Sequence, residues 1–455
     1  MNTTTFVTPG LGDSTYLFGY EGIGLLVDPQ RDIDRFVDAA SNLDVRFVLE
    51  THLHNDYVSG GRSLATATGA ELVLPAASGA AFDHRPAFHL EELDAGPFVV
   101  RPIHTPGHTP EHVSYLVLID DEPVALFSGG SLLVGSAGRS DLLGTARAES
   151  LARRQFESVM RLAALPDPVA LYPTHGAGSF CTSSAAETAA STIGHERRTS
   201  PVLAHTTAES FIDAALRDLS PYPDYYAFMG PINLLGPEPM PPTTVTTITG
   251  ADVPDDAEIV DIRPQAAFAE GHLPGSHGME LEDQMGVWAG WLLPFDAPIA
   301  LVATADQDTE DAVTQLARIG LDTVVGTIID ISGAPELASY RLAPFAELIA
   351  ALRSGSPQIL DVRAPDEWAV ASIPGSVHAY LPDLRGGVPS ELDPERPVWV
   401  VCGGGYRSEM AVHYLEGAGF EPIVVTGGGV EAVLAGLHSA STDQPATASA
   451  SMSQI

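Results

Sequence analysis

THLHNDYVSG, Thr51 to Gly60, is the stretch on which the fold and the chemistry of the N-terminal half turn. It follows an apolar, β-branched run, VRFVLE, that reads as a buried strand. Two histidines and an aspartate then fall within five residues, the way a metal site at the end of a strand is often written. In an extended segment residues two apart face the same side, so His52, His54 and Asp56 can converge on one ion. A second cluster, IHTPGHTPEHVSY, offers His104, His108 and His112, and YPTHGAGSF offers His175. Imidazole and carboxylate ligands suit zinc, iron or manganese.

The chain around it has 455 residues, enough for several domains that each bury a core. Hydrophobic residues make up 45% and charged ones 18%, which places it among globular proteins. Against 59 acidic residues stand 22 basic ones, all arginine, giving a net charge of -37. Such a surface argues against nucleic acid as a partner and favours solubility. MNTTTFVTPGLGDSTYLF has neither the basic start nor the apolar centre of a signal peptide, and no apolar run approaches the roughly 20 residues a membrane helix needs. The expectation is a cytoplasmic protein without a membrane segment, with self-association into a homo-oligomer left open. Two cysteines, Cys181 and Cys402, make no disulfide framework, so each thiol is judged on its own surroundings.

From residue 1 to 230, short apolar runs such as GIGLLVDP and HVSYLVLI alternate with helical patterns such as AESLARRQFESVMRLAAL, an α/β domain with sheet at its centre. A Pro-rich stretch, 231–244, reads as a linker. Beyond it the chain repeats. DIRPQAAFAEGHLPGSHGMEL from Asp261 matches DVRAPDEWAVASIPGSVHAYL from Asp361, and IALVATADQDTEDAV from Ile299 matches VWVVCGGGYRSEMAV from Val398. A period of about a hundred residues means two copies of one α/β domain, over 245–338 and 339–438. The small, polar segment 439–455 reads as a disordered tail.

In the second copy the strand PVWVV runs into Cys402, then Gly403, Gly404, Gly405, Tyr406, Arg407 and Ser408, and then a helical pattern. A thiol in a glycine-rich loop at a helix N-terminus meets free N–H groups that favour an anion, which makes it nucleophilic. Arg407 can close the loop or pair with an anionic substrate. CGGGYRS, the paired DIR and DVR strand ends and the PGS turns resemble the rhodanese family of sulfurtransferases. The resemblance implies that Cys402 carries a persulfide, taking sulfane sulfur from a donor such as thiosulfate and passing it to a nucleophile. In the first copy Ala303 stands opposite Cys402 and Asp308 opposite Arg407, so that copy is expected to be inactive. Asp361 and Arg363 read as strand-end residues that brace the loop.

THLHND, then TPGH, then a strand ending in a GG dipeptide, then a late histidine resembles the metallo-β-lactamase superfamily. The implied whole is α/β multidomain: an N-terminal αββα sandwich followed by two rhodanese-like α/β domains. The GRSDL segment from Gly138 and the rhodanese fusion look like the persulfide dioxygenase branch. That branch implies one non-haem iron(II), oxygen as co-substrate, and oxidation of a small persulfide such as glutathione persulfide to sulfite. His52 and His108 match its histidines, but Gly130 stands where the family has an aspartate ligand, and Tyr57 where it often has a histidine.

A replacement set is therefore expected: His52, His54 and His108 first, Asp56 as the carboxylate, and His175 completing the sphere, with zinc the other candidate ion. His104 and His112 are expected to be supporting or structural. Cys181, close after His175, can hold or accept sulfur or simply pack as a small hydrophobe. Arg62 and Arg139 are the candidate anchors for an anionic thiol substrate. The rivals are a thioester hydrolase resembling glyoxalase II, and a sulfurtransferase whose N-terminal domain no longer catalyses.

Overall fold

The computed structural model describes residues 1–181, 190–217 and 219–439. By contacts the chain divides into two compact units, the first formed by Met1–Val245, Glu282–Ala297 and Asp308–Val324, the second by the remainder.

In the first unit β1 (Asn2–Thr8), β2 (Asp13–Tyr20), β3 (Ile23–Val27), β4 (Asp44–Leu49), β5 (Glu71–Pro75) and β6 (Arg85–Ala87) form one sheet in chain order. A second sheet holds β7 (Leu93–Asp94), β8 (Val99–His104), β9 (Val113–Ile119), β10 (Glu122–Gly129), β11 (Ala170–Pro173) and β12 (Ser191–Thr192), in the order β12-β11-β10-β9-β8-β7. Their central strands, such as β3, β4 and β9, are apolar on both faces, as buried strands must be. Phe18, Leu25, Phe47 and Leu49 face Val100, Tyr115, Val117 and Phe127 in the core between the sheets. The alternate residues Leu17, Leu26 and Val48 pack outward with Phe36 and Leu64 of the helices Asp34–Ala40 and Gly61–Thr68. On the other side Leu116, Leu118 and Leu126 pack with Val159 and Leu162 of the helix Thr145–Leu162. Period-two alternation with both faces covered is what makes this an αββα sandwich. The C-terminal ends of β3, β4, β10 and β11 run into Asp28, Thr51-His52, Gly130 and Thr174-His175, which brings the sequence clusters to one edge.

The second unit carries the repeat. β13 (Glu258–Asp261), β14 (His277–Gly278), β15 (Ile299–Val302) and β16 (Val324–Ile328) lie in the order β14-β13-β15-β16. β17 (Arg341–Pro344), β18 (Gln358–Asp361), β19 (Val377–His378), β20 (Val398–Val401) and β21 (Pro422–Thr426) lie in the order β17-β21-β20-β18-β19. The last four repeat the path of the first four, and the register repeats too: Asp261 pairs with Val302 as Asp361 does with Val401. Each strand-end aspartate takes a two-pronged arginine. Arg363 binds Asp361 at 2.9 Å through Nε and 2.7 Å through Nη2, and Nη2 also donates to the carbonyl of Ala371. Arg263, Asp261 and Gly271 reproduce the arrangement.

The segment 245–338 contributes to both units. Its strands lie in the second, while its helices Met285–Leu292 and Thr309–Arg318 pack in the first, where Arg318 pairs with Asp32 at 2.7 Å and Arg31 donates to the Ala317 carbonyl. The sequence MGVWAGWL explains this: every residue of that helix is buried, and a helix apolar all round needs cover on every side. The helix Tyr226–Leu235 also extends into the Pro-rich segment 231–244, so the first residues of that expected linker are helical, with Pro231 inside the helix. Of the expected tail 439–455, residues 440–455 lie outside the described residues. Among the described residues no helix is long and apolar enough to cross a membrane.

Because Arg363 and Asp361 are 4% and 0% exposed, removing one partner strands a buried charge. Asp361→Ala is expected to lower stability by about 3–5 kcal/mol in urea unfolding, and a variant as stable as the parent would show that the pair braces nothing.

Candidate metal centre and cysteine loop

The fully buried carboxylate of Asp28 organises the strand ends. It accepts the Thr51 N–H and hydroxyl at 2.7 Å each, and the Thr174 hydroxyl. Thr51 and Thr174 each precede a histidine, so these bonds set where His52 and His175 emerge. Asn233, in the helix Tyr226–Leu235, pins the loop from the other side, donating at 2.9 Å to the carbonyls of His54 and Tyr57.

The outer hydrogen bonds fix which ring nitrogen of each histidine faces the pocket. His108 Nδ1 lies 2.7 Å from the carbonyl of Arg139, which can only accept, so Nδ1 carries the proton. Its Nε2 is therefore a lone pair, buried and without a hydrogen-bond partner. His52 Nδ1 meets the Thr51 hydroxyl at 2.8 Å, and its Nε2 lies 3.4 Å from His175 Nε2. His175 Nδ1 contacts Asp13 at 2.8 Å and Asp56 at 3.3 Å. His54 Nε2 faces Glu50 at 3.1 Å and Asp28 at 3.3 Å, and its Nδ1 is buried and unpartnered.

These surroundings push the charges apart. Burial depresses His52 and His108, helped by neighbouring imidazoles, and takes His108 down to about 3. Burial opposes charge on His175 as well, but Asp56 and Asp13 outweigh it and raise it to about 9. His54 is held well above the ordinary imidazole range, the Asp28 and Glu50 carboxylates overcoming burial. The Cys181 thiol is pushed up by burial and by Asp56, whose carboxylate it meets at 3.3 Å.

Four sets of ligand atoms converge, each within 4.8 Å of one another: His52, His54 and His175; His108, His175 and Cys181; Asp13, Asp56 and His175; and Asp28, Glu50 and His54. The buried atoms His54 Nδ1, His108 Nε2 and Asp56 Oδ1 have no hydrogen-bond partner among the described residues, a lack that a cation would satisfy, so the residues present fit a metal ion. A small pocket of about 10 Å³, room for about one water, lies beside His52 and His54 and is lined by Glu50, Arg62, Phe82 and Asn233.

Other candidates have different duties. His112 Nε2 accepts the Gly130 N–H at 2.9 Å and Nδ1 meets the Thr105 hydroxyl at 2.9 Å, which commits it to the framework. His104 is half-buried with Nε2 near the Pro110 carbonyl. Tyr57 is fully buried with its hydroxyl 3.0 Å from His54 Nε2. Arg139, expected as a substrate anchor, is corrected by the geometry: its guanidinium grips Asp141 twice at 2.7 Å and donates to the carbonyls of Phe180 and Ser220. An arginine that is 6% exposed with its donors spent this way is structural. Gln155 was missed. It accepts the His108 N–H at 2.8 Å and donates to the carbonyls of Gly130 and Ser131. Its signal was available, since Gln155 is a polar residue on the core-facing stripe Leu151, Ala152, Val159, Leu162.

In the second unit β20 delivers Cys402 into a loop where Sγ accepts the Gly405 N–H at 3.0 Å. Gly405, at φ 111, sits where L side chains are strained and turns the loop into the helix Tyr406–Gly417. Arg407 closes the loop: both prongs pair with Glu367, and Nη2 lies so near Gly403 that an added Cβ would approach it to 3.2 Å. Tyr406 anchors the loop through its hydroxyl on the Glu280 carbonyl. Ala303 follows β15 as Cys402 follows β20, so the first copy has no thiol at the equivalent place.

Residues 8–175 match the metallo-beta-lactamase superfamily, and residues 345–435 the rhodanese-like domain family. A hydroxyacylglutathione hydrolase of Glaesserella parasuis serovar 5 (strain SH0165) is 30% identical over 169 residues, which span 37% of this chain and 67% of that protein. The chain belongs to the metallo-beta-lactamase superfamily and carries a C-terminal rhodanese-like domain. A human hydroxyacylglutathione hydrolase-like protein is 35% identical over 130 residues, 28% of this chain and 42% of that one. The chain thus spans less than two thirds of the length of the curated relatives it first matches. The crystal structure of a metallo-beta-lactamase from Staphylococcus aureus subsp. aureus COL is similar at 29% identity and a TM-score of 0.66, covering 72% of this chain and 99% of that one.

The superfamily fold implies a metal, and this chain departs from the expected ligand pattern at Gly130 in a way the geometry makes firm. A Cβ at 130 would lie 2.2 Å from His108 Cδ2 and 2.8 Å from its Nε2, so the imidazole occupies the space a side chain there would need. The residues present do not fit a site with a carboxylate from position 130. Gly130→Asp is therefore expected to destabilise the protein by about 1–3 kcal/mol through overpacking, read as a lowered urea midpoint; a variant as stable as the parent would show that His108 has room to yield.

Proposed function

We propose that this chain is a sulfur-metabolism enzyme in which Cys402 transfers sulfane sulfur and the histidine pocket holds one metal ion that serves turnover of a small persulfide. The observation that carries the proposal is the Cys402 loop, where a backbone N–H points at Sγ at the start of a helix in a rhodanese-like domain. The Cys402 thiolate attacks the outer sulfur of thiosulfate, the donor S–S bond breaks, and sulfite leaves with the electron pair. The persulfide left on Cys402 then gives its terminal sulfur to a second thiolate such as glutathione, which regenerates Cys402. The Gly405 N–H donates to Sγ at 3.0 Å, and Arg407, paired with Glu367, is a positioning residue for the loop.

In the N-terminal domain His52, His54, His108 and His175 would hold the ion, with Asp56 as the carboxylate. When bound, iron(II) supplies oxygen chemistry at such a site and zinc supplies hydrolytic chemistry. Arg62, which lines the small pocket and lies over the Phe82 ring, is the cation available to an anionic thiol. Hydrolysis of a glutathione thioester is the second reading, favoured by what the curated relatives are named. Weighing against it, Tyr57 and Gly130 stand at the positions where the resemblance places a histidine and an aspartate of a dinuclear site.

Two measurements test the two halves. Cys402→Ser should abolish sulfur transfer from thiosulfate to cyanide or a thiol, and retained transfer would end that half of the proposal. Iron-loaded protein given glutathione persulfide should consume oxygen and release sulfite. No uptake, with oxygen-independent thioester cleavage by the zinc form, would decide for the hydrolase.

A further inference from the structure

Resting on the proposal of one ion in the histidine pocket, we infer that Cys181 is a ligand of that ion, a thiolate donor alongside His108 and His175. One ligand atom from each of these residues lies within 4.8 Å of the others, and all three are buried. Around a tetrahedral ion, bond lengths of about 2.0–2.3 Å place ligand atoms roughly 3.5 Å apart, so the set needs only a modest contraction. His108 Nε2 is the independent sign of a missing cation: its tautomer is fixed by the Arg139 carbonyl, the residue is 1% exposed, and among the described residues the nitrogen has no hydrogen-bond partner.

The backbone is built to hold this thiol there. Arg139 donates its N–H to the Cys181 carbonyl at 2.9 Å and takes the His108 Nδ1–H on its own carbonyl at 2.7 Å, so one residue sets the spacing between the two donors. Its guanidinium grips the neighbouring Phe180 carbonyl, and the Ser179 hydroxyl receives the Cys181 N–H. That gives the buried arginine, unavailable to substrate, a reason for its placement. The charge balance favours the same conclusion. Beside the imidazoles and the Asp56 carboxylate, the thiolate supplies the soft character that selects zinc or iron over magnesium or calcium.

The chain has two cysteines, so a Cys402→Ser protein leaves Cys181 as its one thiol. Stripped with chelator and reloaded with cobalt(II), that protein should bind one ion and show a near-ultraviolet thiolate-to-cobalt charge-transfer band. Adding Cys181→Ser should remove the band and weaken cobalt binding at least about ten-fold. Cobalt bound without the band overturns the inference and leaves the histidine site standing; no cobalt uptake overturns both. Should the double variant fail to fold, X-ray absorption on the zinc-loaded Cys402→Ser protein decides. A sulfur scatterer at about 2.3 Å is expected, and a shell of nitrogen and oxygen alone contradicts it.

Discussion

The N-terminal domain depends on a single buried carboxylate. Asp28 is 0% exposed, and an unpaired charge at that depth would cost several kcal/mol. It is compensated by Thr51, Thr174 and the imidazole of His54, and this compensation outweighs burial and holds its pKa below the ordinary carboxylate range. Its backbone carbonyl accepts the hydroxyls of Thr15 and Tyr57, and its φ of 52 turns the chain sharply after β3. Ends of strands from both sheets are thereby tied to one point. The histidines emerge from that tie, so the geometry of the pocket follows from satisfying one charge.

A second constraint acts on the other side of the pocket. Gly130 has no side chain, and the His108 ring lies in the space so released. Gln155 takes the His108 N–H and the Gly130 carbonyl together, which holds ring and strand end in register. The loss of a carboxylate at 130 is thus accompanied by a changed arrangement around His108 and not by a hole. Imidazoles, the Asp56 carboxylate and the Cys181 thiol make up the candidate donors that remain.

Much of this was legible in the sequence because it depends on local spacing. The α/β alternation, the DIR/DVR repeat and the strand–Cys402–helix passage follow from periodicity and turn residues within short windows, while the αββα layers were an implication of the family resemblance. What was not legible depends on partners distant in sequence. Arg139 looked like a substrate anchor until Asp141 and the carbonyls of Phe180 and Ser220 filled its donors. The orientation of His54 is set by Asp28 and Glu50, one of them on another strand. The helices Met285–Leu292 and Thr309–Arg318 leave their own sheet's unit, and only the all-round apolar MGVWAGWL signalled it. Asp28 and Gln155 were readable in principle, one as a charge closing a buried strand and the other as a polar residue on an apolar stripe.

The central claim is that the altered pocket still holds one metal ion. Elemental analysis of protein purified without added metal tests it most directly, with His108→Ala measured beside it. The account predicts one iron or zinc per chain in the parent and a clear loss in the variant. A parent that carries no transition metal, and gains none on exposure to either ion, would contradict it.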